Sequence, residues 1–99
     1  MRQLFAVTRT RGGARKQGSA LEDQEDWASH AAFMNGLHAE GFVLFGGPLE
    51  GTCDVLLIIC ADDAEEIRSR LATDSWSRKG LLRIAQIAAW TIRLGKIDA

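Results

Sequence analysis

One histidine and one distant aspartate are the residues of this chain best suited to proton transfer. His30 lies in the segment Trp27–Pro48, WASHAAFMNGLHAEGFVLFGGP, beside an apolar stripe at helical spacing, and Asp74 precedes a short turn. A carboxylate bonded to one imidazole nitrogen fixes the tautomer and raises the basicity of the other nitrogen. The pair is therefore a candidate general acid and base. A histidine bonded to backbone and an aspartate that only caps a helix remain the plainer alternatives.

The other reactive residue types give weaker signals. His38 is predicted to be a surface residue near a helix C-terminus. No nucleophile has a base beside it, so covalent catalysis is unsupported.

Cys53 and Cys60 fall in one predicted strand, roughly 23 Å apart at the rise of an extended chain, which is beyond disulfide reach. We expect both to be small buried hydrophobes. No Cys/His cluster has the spacing of metal ligands, and we expect neither a metal nor a cofactor.

A short glycine-rich segment near His30 offers a second kind of chemistry. Gly46-Gly47-Pro48 either ends a strand that must bend or presents bare backbone N–H groups to a carboxylate or an oxyanion. Phe45 and Trp76 could form the apolar wall of a small pocket there. Trp90, by contrast, is expected in the core or in a dimer interface.

Composition limits the class of protein. The chain has 99 residues, 46% of them hydrophobic, and a formal charge of −1, which suits one domain over residues 1–99. Such a charge gives no case for a nucleic-acid partner or an anionic membrane. No apolar run approaches the ~20 residues that span a bilayer, and the N-terminus lacks a signal-peptide core. We expect a soluble cytoplasmic protein.

Periodicity and turn residues predict alternating strands and helices. The predicted strands are Leu4–Arg9, Phe42–Phe45, Cys53–Cys60 and Leu81–Ile92, and the predicted helices are Gln24–Glu40 and a second one from an Asp62 cap to about Thr73, followed by a turn from Asp74 to Gly80. A long loop, Thr10–Asp26, is expected to be mobile and to close over a ligand. Arg9, Arg11 or Arg15 would then offer positive charge to an acidic substrate.

The resulting order, β-α-β-β-α-β, is that of a ferredoxin-like α+β fold with both helices on one face of the sheet. Leu56 and Leu57, adjacent in the third strand, point to opposite faces. Alternation in the second strand likewise puts Phe42 and Leu44 on one face and Val43 and Phe45 on the other, so both faces are apolar. An uncovered apolar sheet face exceeds the patch that a monomer usually exposes. We therefore expect a homodimer that packs sheet to sheet.

An ordered set of short motifs resembles the YCII-related (YciI-like) family of the dimeric α+β barrel superfamily. The pieces are Trp27-Ala28-Ser29-His30, Phe33-Met34, Leu37 to Gly41, Gly46-Gly47-Pro48, Asp74-Ser75-Trp76, Gly80-Leu81-Leu82 and Trp90. The resemblance implies a sheet-to-sheet dimer whose active-site pair is His30 and Asp74. Ser75 stands where that family usually has proline, which would preset the first helical turn.

From the residues and the resemblance together, we expect a small cofactor-independent enzyme. It would abstract a proton, and then eliminate or isomerise, on a small acidic or ring-derived metabolite. The alternatives are a non-catalytic module that binds a small molecule in the same cleft, and an interaction domain. The expected substrate contacts are Arg9, Trp27, Phe45, Gly46, Gly47, Pro48, Ser75 and Trp76.

Overall fold

Four strands and three helices make up the part of the chain that a computed structural model describes, residues 2–11 and 26–96. In chain order they are β1 (Gln3–Arg11), α1 (Trp27–Ala39), β2 (Val43–Pro48), β3 (Asp54–Ala61), α2 (Ala64–Leu71), α3 (Ser75–Arg78) and β4 (Leu82–Ala89). None of the helices in these ranges is long and apolar enough to cross a membrane. The predicted β-α-β-β-α-β order is confirmed, with the single-turn helix α3 at the predicted turn.

The strands form one antiparallel sheet in the order β2-β3-β1-β4. This topology confirms the predicted ferredoxin-like α+β fold. The central strand β1 pairs with β3 on one side and β4 on the other. Residues on β1 therefore lie in the middle of the sheet, whereas β2 is an edge strand next to β3.

Several strand boundaries differ from prediction; β4, for example, ends at Ala89 and not at Ile92. β1 continues through Arg11, so the predicted loop begins two residues later than expected. The rest of that loop, 12–25, lies outside the described residues, and so do the first residues predicted for α1. The predicted closure of the loop over a ligand therefore also lies outside the described residues. Gly46, Gly47 and Pro48 pair with β3 inside β2 instead of breaking it. Proline is tolerated there because an edge strand leaves one row of N–H groups unpaired.

Two glycines end helices as the sequence predicts. Gly41 has φ of 80° and follows α1, and Gly80 has φ of 74° and follows α3. At the first of these, the N–H groups of Gly41 and Phe42 donate to the carbonyls of His38 and Leu37. This is the Schellman arrangement, which satisfies carbonyls at the helix end and favours glycine because φ is positive.

The cap of α2 lies one residue later than predicted. The side chain of Asp63, not Asp62, accepts from the N–H of Glu66, and Glu66 Oε1 accepts in return from the N–H of Asp62. The partner is correspondingly Glu66 and not Glu65. Consecutive acidic residues at 62–63 and 65–66 make both registers compatible with the sequence pattern.

The core lies on the sheet face that the helices cover. Val7 of β1 and Ile59 of β3 pack there with Leu37 of α1 and with Ile67 and Leu71 of α2. All five side chains are buried, and alternation along the strands places every second residue on this face. Arg9 has the same parity as Val7, so a charged side chain points into the helix-covered layer.

The opposite face carries apolar side chains without a helix above them among the described residues. Leu56 and Ile58 of β3 lie there with Phe45, Leu49 and Trp90, which are 51%, 41% and 42% exposed. An irregularity in β2 pairs Val43 with Ile59 but Phe45 with Ile58. The predicted strict alternation of β2, which put Val43 and Phe45 on one face, is therefore wrong. A bulge turns Phe45 to the open face.

Two substitutions test whether Asp63 or Asp62 caps α2. Replacing Asp63 by alanine should lower the free energy of unfolding by ~1 kcal/mol, because the N–H of Glu66 loses its acceptor. The matched Asp62→Ala variant keeps that bond and should change the free energy of unfolding by less than half as much. Urea unfolding of the two variants measures both values, and equal losses would contradict the cap at Asp63.

Candidate active site

Asp74 is the N-cap of α3 and is completely buried. Its Oδ1 accepts from the N–H of Trp76 at 3.2 Å, while its Oδ2 lies 2.8 Å from His30 Nδ1 and 3.0 Å from Arg9 Nη2. The two oxygens thus have separate tasks. One holds the start of α3, and the other joins the helix to α1 and β1. The predicted hydrogen bond between His30 and Asp74 is confirmed.

Arg9 reaches this carboxylate from the central strand. Its side chain is 1% exposed, and Nη2 also donates to Ser77 Oγ at 2.7 Å. Arginine seldom occurs fully buried unless it is paired, and Asp74 supplies the opposite charge. Burial lowers the pKa of Arg9 while the carboxylate of Asp74 raises it. Arginine nevertheless remains protonated in proteins. The pair is therefore a buried guanidinium and carboxylate.

The pKa of Asp74 follows from the same surroundings. Burial raises it, but the hydrogen bond and charge of His30, the charge of Arg9 and the N–H of Trp76 together lower it below the ordinary value. Asp74 is thus an anion near neutrality and can only accept hydrogen bonds. His30 Nδ1 must then carry the hydrogen that it shares with Asp74.

His30 is held by aromatic rings as well as by the carboxylate. Its ring stacks on Trp76 with the centroids 3.8 Å apart and the planes at 4°, and Trp27 lies 6.0 Å away at a tilt. Trp76 is buried, whereas the His30 side chain keeps 12% of its surface exposed. The second ring nitrogen, Nε2, makes no hydrogen bond within the described residues. Stacking and bonding together fix the plane of the imidazole and leave one nitrogen available.

A cleft of about 190 Å³ lies in front of this imidazole. Its wall combines the aromatic rings around His30 with the β2 backbone and apolar side chains of α1, β3 and β4. The lining residues are Trp27, His30, Met34, Gly46, Gly47, Pro48, Val55, Leu57, Trp76 and Leu82. The cleft is small and mostly apolar, and among its lining residues from 2–11 and 26–96 His30 is the one titratable group. This is the usual character of a small-molecule site.

The structure brings most of the predicted site residues together. Trp27, Gly46, Gly47, Pro48 and Trp76 line the cleft with His30. Three predicted contacts lie elsewhere, as a consequence of the fold. Phe45 is turned toward the open sheet face by the β2 bulge and lines a neighbouring hollow, not this cleft. Arg9 lies behind Asp74, and the Ser75 hydroxyl is buried without a hydrogen-bond partner among the described residues.

The sequence analysis did not predict that Arg9 pairs with Asp74, or that Ser77 Oγ accepts a hydrogen bond from Arg9. The signal for Arg9 was present, because alternation from Phe5 and Val7 puts position 9 on the core face, where a charge requires a buried partner. No comparable signal marks Ser77, which sits in a polar turn. Met34, which lies four residues after His30 in α1, also lines the cleft. No group of three metal-ligating side chains occurs in the ranges 2–11 and 26–96.

Comparisons with known proteins gave one kind of match. No protein-family model matches the chain, and no curated protein matches it in sequence. Among solved structures, the chain is similar to 5-chloro-2-hydroxyhydroquinone dehydrochlorinase (TftG) from Burkholderia phenoliruptrix AC1100, in complex with 2,5-dihydroxybenzoquinone. The TM-score is 0.64, the identity is 23%, and the match covers 94% of this chain and 96% of the other. At this identity, the likeness establishes a shared fold.

The lowered pKa of Asp74 predicts how stability depends on pH. Free aspartate has a pKa of ~3.9, so ionised Asp74 stabilises the fold above about pH 4, and this contribution is lost as the pH falls through the lower folded-state pKa. Asp74→Asn should therefore flatten the acid limb of the stability curve. At neutral pH it should also cost about 3–5 kcal/mol, because Arg9 is left buried and unpaired.

Urea unfolding of the two proteins from pH 7 to pH 2 measures both effects. Asp62→Asn is the matched control, because Asp62 is exposed, and its curve should run close to that of the parent protein. Parallel curves for the parent and Asp74→Asn would show that Asp74 titrates alike in the folded and unfolded chains.

Proposed function

We propose that the chain is an enzyme in which His30 abstracts a proton from a small acidic or ring-derived metabolite, leading to elimination or isomerisation. One observation carries the proposal. A buried carboxylate oxygen is shared by Arg9 Nη2 and His30 Nδ1, and the imidazole that it orients faces a small apolar cleft. A histidine with only a structural role would not need a fixed ring orientation, or a second ring nitrogen that faces a cavity.

The roles follow from the protonation states. Since Asp74 is an anion, His30 Nδ1 carries the hydrogen, and in the neutral imidazole Nε2 then has the lone pair. That lone pair is the base. When Nε2 takes a proton, the resulting imidazolium is stabilised by Asp74 and by the face of Trp76, since aromatic rings attract cations. Arg9 does not contact the ligand in this scheme and holds Asp74 in its charged form.

The proposed step transfers one proton and shifts bonding pairs within the substrate. Nε2 takes a proton from a carbon next to a carbonyl or a ring oxygen, and the C–H electron pair forms a new double bond. In an elimination, a leaving group such as halide departs with the pair of its bond to carbon. In an isomerisation, the π pair of an existing double bond shifts to another carbon of the same molecule and takes the proton back from the imidazolium. Either route needs one group that acts as base and then as acid.

The substrate class is supported by two likenesses. The similar solved structure is that of a dehydrochlorinase in complex with 2,5-dihydroxybenzoquinone, a flat ring. The motifs from Trp27 to Trp90 resemble the YCII-related family, for which a histidine and an aspartate have been proposed as the active-site pair. A flat ring also suits a cleft lined by Trp27, Trp76 and the backbone of Gly46 and Gly47.

A non-catalytic binding module is the second candidate. The observation that favours it is the character of the cleft, about 190 Å³ and mostly apolar, with His30 as its titratable group. Such a site binds a small ring without any proton transfer. The two functions differ in turnover, and also in hydrogen exchange between a bound ligand and solvent.

The test of catalysis compares two His30 variants with the parent protein. His30→Asn keeps an N–H donor in the position of Nδ1, toward Asp74, and removes the base; His30→Gln keeps an amide near Nε2 and removes the bond to Asp74. Chloride release from 5-chloro-2-hydroxyhydroquinone, and deuterium uptake into 2,5-dihydroxybenzoquinone in D₂O, report elimination and proton abstraction. Both variants should lose about 10²–10⁴-fold in rate while His30→Asn keeps the folded circular-dichroism spectrum. Ring binding with no exchange above the uncatalysed rate would favour the binding module.

We also propose a homodimer formed by the open sheet faces. The exposed rings of Phe45 and Trp90 flank a groove over Leu56 and Ile58, and a continuous apolar patch of this kind marks an interaction surface. A second copy of the same face would cover it by aligned sheet packing. The helix-covered face, with its cleft, would remain accessible on each subunit.

Sedimentation at micromolar concentration tests the dimer. The parent protein should have the mass of two chains, and Leu56→Asp should give monomer or aggregate, because the dimer would bury an unpaired charge. Ser69→Asp, which adds the same charge at an exposed position of α2, should leave the mass unchanged. A parent protein that sediments as one chain would refute this interface.

A further inference from the structure

We infer that the cleft at His30 continues along α1 into a second compartment ending at His38 and Asn35, and that this compartment receives the carboxylate of an elongated ligand. The inference rests on the proposed function for the His30 end. It adds a second recognition point and, with it, a substrate class: a ring that carries a short chain with a terminal carboxylate.

The two compartments share part of their walls. Met34, Gly46 and Leu57 line both the cleft in front of His30 and an adjoining hollow of about 320 Å³. The polar side chains of Asn35 and His38 also line the hollow. The shared residues place the two cavities side by side between α1 and the edge strand β2, with one imidazole in the wall of each.

Helix geometry sets the length of this groove. His30, Met34 and His38 follow one another at intervals of four residues on α1, so their side chains lie on the same side of the helix. Eight residues of helix rise about 12 Å. A single six-membered ring cannot reach both imidazoles, whereas a ring with a chain of two or three carbons spans a distance of this order. The thioether of Met34, between them, is flexible and adapts to the shape of a ligand.

Gly46 belongs to the wall that both compartments share. A Cβ built at this position would overlap Leu57 Cδ2 and press on the carbonyl oxygen of Leu56. The missing Cβ therefore lets the Leu57 side chain pack against β2. Any larger residue at position 46 would displace Leu57 and reshape the shared wall.

His38 has the chemistry to bind an anion. Its Nδ1 lies 2.9 Å from the carbonyl oxygen of Val43. A carbonyl can only accept, so Nδ1 carries a hydrogen. Nε2 is the nitrogen left for a ligand, and it makes no hydrogen bond within residues 2–11 and 26–96. With a proton on Nε2, His38 is a cation that donates to a carboxylate, and the amide of Asn35 offers a further N–H. No acidic side chain from these ranges lines the hollow to repel the ligand.

Three probes and one variant test the second compartment. The probes are 3-(4-hydroxyphenyl)propanoate, its carboxamide, and 4-hydroxybenzoate, which has the same ring but no connecting chain. His38→Asn is the variant, because its amide keeps a donor to the Val43 carbonyl and removes the Nε2 arm. Ring resonances of His30 and His38 in NMR titrations give the affinity and the compartment occupied.

The long acid should bind the parent protein about tenfold more tightly than the carboxamide or the short acid, which corresponds to one charge-assisted hydrogen bond. It should shift the resonances of both histidines, whereas the short acid should shift those of His30 alone. His38→Asn should remove the tenfold preference and leave the affinity for the short acid unchanged.

The outcomes separate this inference from the proposed function. Equal affinities for the two acids, with His38 resonances that do not move, would overturn the second compartment and leave the His30 centre intact. A preference for the long acid that depends on His38 would support the compartment even if His30→Asn lost no turnover, in which case only the catalytic proposal would fail. Absence of any shift at either histidine with all three probes would overturn the second compartment, and chloride release and deuterium uptake would still decide the catalytic proposal.

Discussion

The site and much of the fold around it depend on keeping one buried negative charge satisfied. Asp74 is wholly removed from solvent, and an unpaired carboxylate in such a place costs several kcal/mol. Arg9, His30 and the N–H of Trp76 each contribute to balancing it. Because these groups come from β1, α1 and α3, the charge holds three elements in one arrangement. Moving any of them would leave Asp74 or Arg9 without its partner.

In the same arrangement, the contacts of Asp74 that stabilise the fold are separate from the imidazole that is proposed to react. Oδ1 of Asp74 begins α3, and Oδ2 orients His30, so a single residue fixes both the helix that carries Trp76 and the ring that stacks on it. Arg9 compensates the charge from behind, away from the cleft. The imidazole is the one titratable group of the cluster that reaches the cavity. Contacts within the protein thus fix the orientation of the imidazole, which is what the proposed acid and base requires.

Much of this could be predicted from the sequence, for reasons that are local or periodic. The element order follows from Gly41, Gly80 and the alternation in β3, and the His30–Asp74 pair follows from the motif resemblance and the chemistry of the two side chains. The N-cap position of α2 could not be predicted, because acidic residues at 62–63 and 65–66 allow two equivalent capping boxes. The bulge in β2 could not be predicted either, because a bulge has no signature in composition. Arg9 was expected to bind a ligand. Its pairing with Asp74 depends on tertiary contacts between distant parts of the chain. Alternation with Phe5 and Val7 along β1 does, however, place Arg9 on the core face of the sheet.

The long separation in sequence between the members of the charge cluster has a consequence for the order of folding. His30 and Asp74 are 44 positions apart, and Arg9 and Ser77 are 68 apart. Contacts of such range form only after large loops have closed, and they slow folding. Local structure such as α1 or the β2–β3 hairpin can form earlier, but neither contains a complete site. The arrangement around Asp74 therefore appears only when β1 and α3 have both docked, so a partly folded chain lacks the oriented imidazole on which the proposed function depends.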